Sequence, residues 1–336
     1  MKCCVNCFND EYLVYKIQQK SKEIGECDFC NSKNITIIQA KELSDDFQLV
    51  FSLYIEVKEN GSSLASLLQN NWMLFNNFNE KQILHLLENI LEINLNKQYT
   101  PENLDIEKIS KWQDFKKELK HQNRYFPQNM PNFEELEILL GYITRYCEKD
   151  TNLYRARVNI DIDKISINEM GKPPKKLSTA GRANPVGIPY LYTASNPETA
   201  IAEIRPHKGD SVTVAGFKVV EKLILADLRN PRKTISPFIH DEDTLKQIFK
   251  NLDYLSHLGE ELSKPISPRE AHLEYLSSQY LCEFIKHSGF DGVIYKSSVG
   301  DGDNYAIFND NKLKAIDTEI YYIENIEIRN LKIKNY

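Results

Sequence analysis

The chain has 336 residues, room for two or three domains, and its 41% hydrophobic and 27% charged residues can build an ordinary water-soluble core. A net charge of −6 argues against the broad basic surface that sequence-independent nucleic-acid binding needs, and leaves room only for a local basic patch. No apolar run approaches the roughly 18 residues that span a bilayer, so no membrane partner is expected.

The opening MKCCVNCFNDEY turns polar by residue 9, which argues against a secretory signal. Seven cysteines, an odd number, fit a reducing, cytoplasmic setting. Five of them fall in the first 30 residues. Cys4 and Cys7 form one CxxC knuckle, Cys27 and Cys30 a second, with 19 residues between. Zinc takes four thiolates in a tetrahedron, and two such knuckles present them. Residues 1–40 therefore read as a small zinc-ribbon-like module whose structural zinc supplies most of its stability. Cys3 is the alternative to Cys4. The intervening YLVYKI and the following NITIIQA read as short strands.

Residues 41–150 read as a mostly helical domain. Leu64, Leu67, Leu68 and Trp72 recur at helical spacing, as do Ile83, Leu86, Leu87, Ile90 and Leu91. Ile109, Trp112, Phe115 and Leu119 form a third stripe; Leu136, Leu139, Leu140, Ile143 and Cys147 form a fourth. These are core-facing helix faces. FPQNMPNF at 126–133 is a loop. No catalytic constellation is visible here, and His85 and His121 read as solvated or core histidines.

From about Thr151 the texture changes to short strands punctuated by Gly, Pro and Asn. LYRARV, YLYTA, VTVAGFKV, LILADL, GVIYKS, YAIF and a long C-terminal AIDTEIYYIENIEI are the expected strands. Helices are expected at 196–205, near 241–252 and at 270–287. Residues 151–336 thus form an α+β domain around a bent or split sheet, with 229–270 as an insertion on it. Asn196-Pro197-Glu198 carries a strong N-cap, a favoured first-turn proline and a first-turn acid, so a helix starts there. Glu203 follows Ala200, Ile201 and Ala202, and a carboxylate in small apolar surroundings is either paired or used.

Four ordered blocks carry a resemblance. They are LYRAR from Leu153, GRANPVGIPYLYTASNPETAIAEIRP from Gly181, YLSSQYLCEF from Tyr275 and GFDGVIYKSSVGDGDNYAIF from Gly289. Together they resemble the RES-domain family, named for its Arg, Glu and Ser. The resemblance implies an ADP-ribosyltransferase-like split β-sheet fold and an enzyme that consumes NAD as substrate. It also implies a bacterial toxin or defence effector, with an antitoxin encoded by a neighbouring gene as partner. Carried over, the catalytic residues are Glu203, Arg155 and Ser297. Arg182, Tyr192, Tyr154, Arg157 and Ser298 are implied to bind NAD, with Arg157 and Ser298 the near alternatives to Arg155 and Ser297.

The implied chemistry suits these residue types. Nicotinamide leaves ribose as a neutral base from a pyridinium, so one carboxylate suffices where other glycosidases need two. Glu203 would hold the ribose 2′-hydroxyl and face the developing positive charge. The arginines would fork onto the pyrophosphate, Tyr192 would stack on nicotinamide, and Ser297 would fix orientation. Water as acceptor gives a glycohydrolase and phosphate a phosphorylase. A macromolecular target would make the protein a mono-ADP-ribosyltransferase, and binding without turnover a nucleotide-binding regulator. Neither a dinucleotide-binding GxGxxG nor a P-loop is present. The pattern is compatible with an oligomer.

Overall fold

The structure is a computed structural model that describes residues 1–102, 107–160, 163–267 and 269–327. It divides into two compact units, residues 1–112 with 230–257 and residues 113–229 with 258–336.

In unit 1, β1 (Lys2–Cys4), β2 (Ile24–Gly25) and β3 (Ile35–Gln39) make a small antiparallel sheet in the order β1-β3-β2. Between the two cysteine pairs lies a helix, α1 (Glu11–Lys20), not the strand expected at YLVYKI. Asp10 caps it, accepting from the Leu13 amide at 2.9 Å, and Leu13 and Ile17 bury one side at i, i+4 spacing. The cap and that spacing override the strand preference of the β-branched and aromatic residues.

Next come α2 (Ser44–Phe51), β4 (Tyr54–Val57), α3 (Leu64–Trp72), α4 (Glu80–Leu91) and β5 (Gln98–Pro101), with β4 pairing β5. Ser63 caps α3, and Asn79 with Gln82 forms a capping box on α4. The expected apolar stripes of both helices are largely buried.

α5 (Glu107–His121) begins in unit 1 and ends in unit 2. α6 (Phe133–Tyr142) then gives way to β6 (Thr144–Cys147), so Cys147 sits on a strand rather than on the expected helical stripe. Pairing explains the switch: β6 runs antiparallel to β10 (Leu223–Asp227), with Cys147 opposite Leu223.

Among the described residues, eight strands form the sheet of unit 2. β6 and β10 are joined by β7 (Asn152–Val158), β8 (Leu191–Ala194) and β9 (Ser211–Val219). β11 (Gly292–Lys296), β12 (Asp303–Ile307) and β13 (Leu313–Tyr322) complete it. The order is β13-β9-β7-β8-β12-β11-β10-β6, antiparallel except between β10 and β11. This is the α+β architecture expected from the sequence. β13 stops at Tyr322, short of the long strand foreseen, whose last residue, Ile328, lies outside the described residues.

The β7–β8 register is the single pair Tyr154–Ala194, whereas β7 pairs β9 over seven residues. The sheet therefore opens between β7 and β8. One face packs Leu153, Leu191, Phe217, Leu225, Ile294 and Ile307. On the other, α7 (Pro197–Glu203) lays Ala200 against Ala156, Ala194, Val212 and Val214. The chain from β10 to β11 passes through α8 (Pro231–Thr234), α9 (Glu242–Ser263) and α10 (Ala271–His287). Residues 230–257, inside the stretch read as an insertion, belong to unit 1. There Phe249 stacks on Trp72 with ring centroids 5.7 Å apart, and Phe238 lies 5.1 Å from Phe47.

Candidate active site

A pocket of about 480 Å³ opens in unit 2 over the face that carries α7. Strand alternation brings Tyr154, Tyr192, Tyr295 and Asn304 to this face from β7, β8, β11 and β12. Arg155 and Thr193 follow the one β7–β8 pair on either strand, where the sheet parts, and both line the pocket.

Glu203 ends α7. The helix starts as its sequence dictates: Asn196 accepts from the Thr199 amide at 2.7 Å and Pro197 takes the first turn. Glu203 is exposed at the pocket wall. Its Oε1 accepts from the Ser297 hydroxyl at 2.6 Å and from Asn304 Nδ2 at 2.6 Å. Among the described residues no protein donor reaches Oε2. Ser297 also accepts from the Gly300 amide at 2.9 Å, which ties it into the tight turn after β11. That turn docks on α7, with the Gly302 amide donating to Thr199 Oγ1 at 3.1 Å. Ser298 also lines the pocket.

The turn is also anchored electrostatically. Arg229 grips Asp227 with two nitrogens and reaches Asp303 at 2.7 Å, and Lys296 holds the other Asp303 oxygen at 2.7 Å. Burial works against the Asp303 carboxylate, yet Lys296 and Arg229 together hold it below the usual range.

The arginines divide. Arg155 has a buried Nη1 with no hydrogen-bond partner. Burial, with Arg157 adding to it, pushes its guanidinium down to about 10, so it stays a cation at neutral pH. Arg157 turns away: it donates to the Gly171 carbonyl at 2.8 Å and does not line the pocket. Arg182 lines the pocket, lies over the Tyr275 ring at 5.4 Å and donates to the Lys264 carbonyl at 2.7 Å.

Tyr192 does structural work with its hydroxyl, which accepts from the Ala183 amide at 3.0 Å and donates to Asn184 Oδ1 at 2.8 Å. Burial pushes its phenol well up. Only glycine fits at 181, because a Cβ there would collide with Asn184 Oδ1 and with the Tyr192 hydroxyl at 2.6 Å.

The structure thus brings Glu203, Arg155, Ser297, Arg182, Tyr192, Tyr154 and Ser298 together and leaves Arg157 aside. Sequence reasoning missed Asn304 and Thr193, the latter with a buried hydroxyl that lacks a partner. No local motif marks either residue; the signal is cross-strand register, which sets Asn304 opposite Tyr295 and Ala194.

In unit 1, Cys4, Cys7, Cys27 and Cys30 form a candidate metal centre, with all four Sγ atoms within 4.8 Å of one another. The Sγ separations are 3.9 Å for Cys4–Cys7 and 3.4 Å for both Cys4–Cys30 and Cys7–Cys27. A tetrahedron with Zn–S of about 2.3 Å requires about 3.8 Å between sulfurs, so the donor set fits. Cys3 is buried on β1 and stands outside the group.

Compared with known proteins, residues 153–327 match the family model of the RES domain. A solved structure, the crystal structure of the M. tuberculosis MbcT–MbcA toxin–antitoxin complex, is similar at 12% identity and a TM-score of 0.35, over 56% of this chain and 93% of that one. No curated protein matches the chain.

Proposed function

The chain belongs to the RES-domain family, and from that premise we propose that unit 2 breaks the nicotinamide–ribose bond of NAD and passes the ADP-ribosyl group to water or phosphate. The observation that carries this reading is the Glu203 carboxylate, held through Oε1 by Ser297 and Asn304 with Oε2 left without a protein donor. Oε2 would take the ribose 2′-hydroxyl and face the cationic sugar carbon as the C1′–N1 electron pair departs with nicotinamide. The acceptor oxygen then closes on C1′; with water, one proton is released.

Supporting roles follow from the geometry. The unpartnered Nη1 of Arg155 suits a pyrophosphate oxygen, and Arg182 has nitrogens beyond the one spent on Lys264. Arg157, bonded to the Gly171 carbonyl and away from the pocket, is left out of this reading. With its hydroxyl engaged, Tyr192 offers nicotinamide a ring, and Tyr154 is the second ring from the same side. Zinc at the four cysteines would stabilise the small sheet of unit 1.

As a toxin or defence effector, the protein would need an antitoxin that covers the pocket mouth. No helix among the described residues is long and apolar enough to cross a membrane. The test is nicotinamide release from NAD, with and without phosphate, beside Glu203→Gln. Turnover should fall by about 100-fold or more in the variant. Phosphate-dependent release would name a phosphorylase, and full turnover in Glu203→Gln would end the assignment.

A further inference from the structure

Two donors hold one oxygen of Glu203, but they stand on different supports. Ser297 lies in the turn after β11. Asn304 lies inside β12, a strand paired on both sides, with Tyr295 of β11 and Ala194 of β8 as its opposite residues. Asn304 is only 5% exposed, whereas Glu203 is exposed. A side chain on a doubly paired strand is placed more tightly than one on a loop.

We propose that Asn304 is the positioning residue of this site: it fixes the rotation of the Glu203 carboxylate so that Oε2, not Oε1, meets the sugar. The inference rests on the reading of Glu203 as the catalytic acid group. Nδ2 is a donor only, so it engages Oε1 as an acceptor and leaves Oε2 to the substrate. The other titratable groups lining the pocket are Tyr154, Arg155, Arg182, Tyr192, Arg205, Tyr275 and Tyr295. None is a carboxylate, so an acid introduced at 304 would be the second beside Glu203.

Asn304→Asp and Asn304→Ala separate positioning from mere structure. In Asn304→Ala, kcat should drop about 10- to 100-fold with KM within about threefold, because a misplacement near 1 Å costs that much in the chemical step. In Asn304→Asp, two carboxyl groups would share one proton, and the acid limb of the kcat profile should move up by roughly one pH unit or more.

A second readout needs no turnover. Side-chain carboxyl NMR of Glu203, assigned with Glu203→Gln, should show it titrating higher in Asn304→Asp. Wild-type kcat in Asn304→Ala, or an unmoved Glu203 titration in Asn304→Asp, would overturn the proposal. A shifted titration in a protein that releases no nicotinamide would keep the positioning role and defeat the NAD reading instead.

Discussion

Gly302→Ala tests whether the turn after β11 governs the site. A Cβ on Gly302 would collide with Thr199 Oγ1, lie 2.5 Å from Ser195 Oγ and lie 2.8 Å from Asn196 Nδ2. Both oxygens are bonded: Thr199 accepts from the Gly302 amide and Ser195 from the Asp303 amide, at 3.1 and 3.0 Å. Rotating them away or lifting the turn gives up both bonds, at a net of about 1 kcal/mol each. The loss of about 2 kcal/mol corresponds to a melting temperature lower by roughly 4–8 °C in a domain of this size. Activity should suffer more. The Ser297 amide donates to the Gly302 carbonyl at 3.3 Å, so a lifted turn carries Ser297 off Glu203. A displacement near 1 Å predicts about a 100-fold loss of turnover. Gly300→Ala is the graded control, because its Cβ would meet Thr199 at 3.1–3.2 Å, which a small adjustment relieves. Scanning calorimetry and nicotinamide release read the two effects. A Gly302→Ala protein that melts and turns over like wild type would refute the reasoning.

Two further predictions concern metal and pH. Cys4→Ser should abolish zinc binding and loosen the β1-β3-β2 sheet, while Cys3→Ser should keep its metal; elemental analysis of both proteins decides, and equal zinc content would contradict the donor set drawn here. The depressed Asp303 carboxyl contributes stability that is fully present above its ordinary value of 3.8 and is lost as pH falls through its lower folded value. Asp303→Asn should therefore lose less stability than wild type between neutral and strongly acid solution; identical pH slopes in urea unfolding would count against the Arg229–Asp303–Lys296 anchor.

Much of this protein is legible in its sequence because the relevant physics is local. The α7 cap depends on Asn196, Pro197 and Thr199 alone, and the buried stripes of α3 and α4 on spacing within each helix. The cysteine knuckles need only four residues each. Where two local preferences competed, at 11–20, the Asp10 cap and the Leu13–Ile17 spacing outweighed β-branched composition. The candidate site was readable through the ordered family blocks, which name Glu203, Arg155 and Ser297 without saying how they meet.

Tertiary structure decided the meetings. Ser297 and Asn304 reach Glu203 across 94 and 101 residues of chain, and which side chain arrives is set by sheet register, which local sequence does not contain. The same register, broken after the Tyr154–Ala194 pair, lines the pocket with Arg155 while Arg157 is spent on a backbone carbonyl. The stretch 229–270 reads as an insertion on the second domain, yet its Phe238 and Phe249 pack on Phe47 and Trp72 inside unit 1. Apolar surface is removed from water by whichever partner the whole fold supplies, and sequence order does not name that partner.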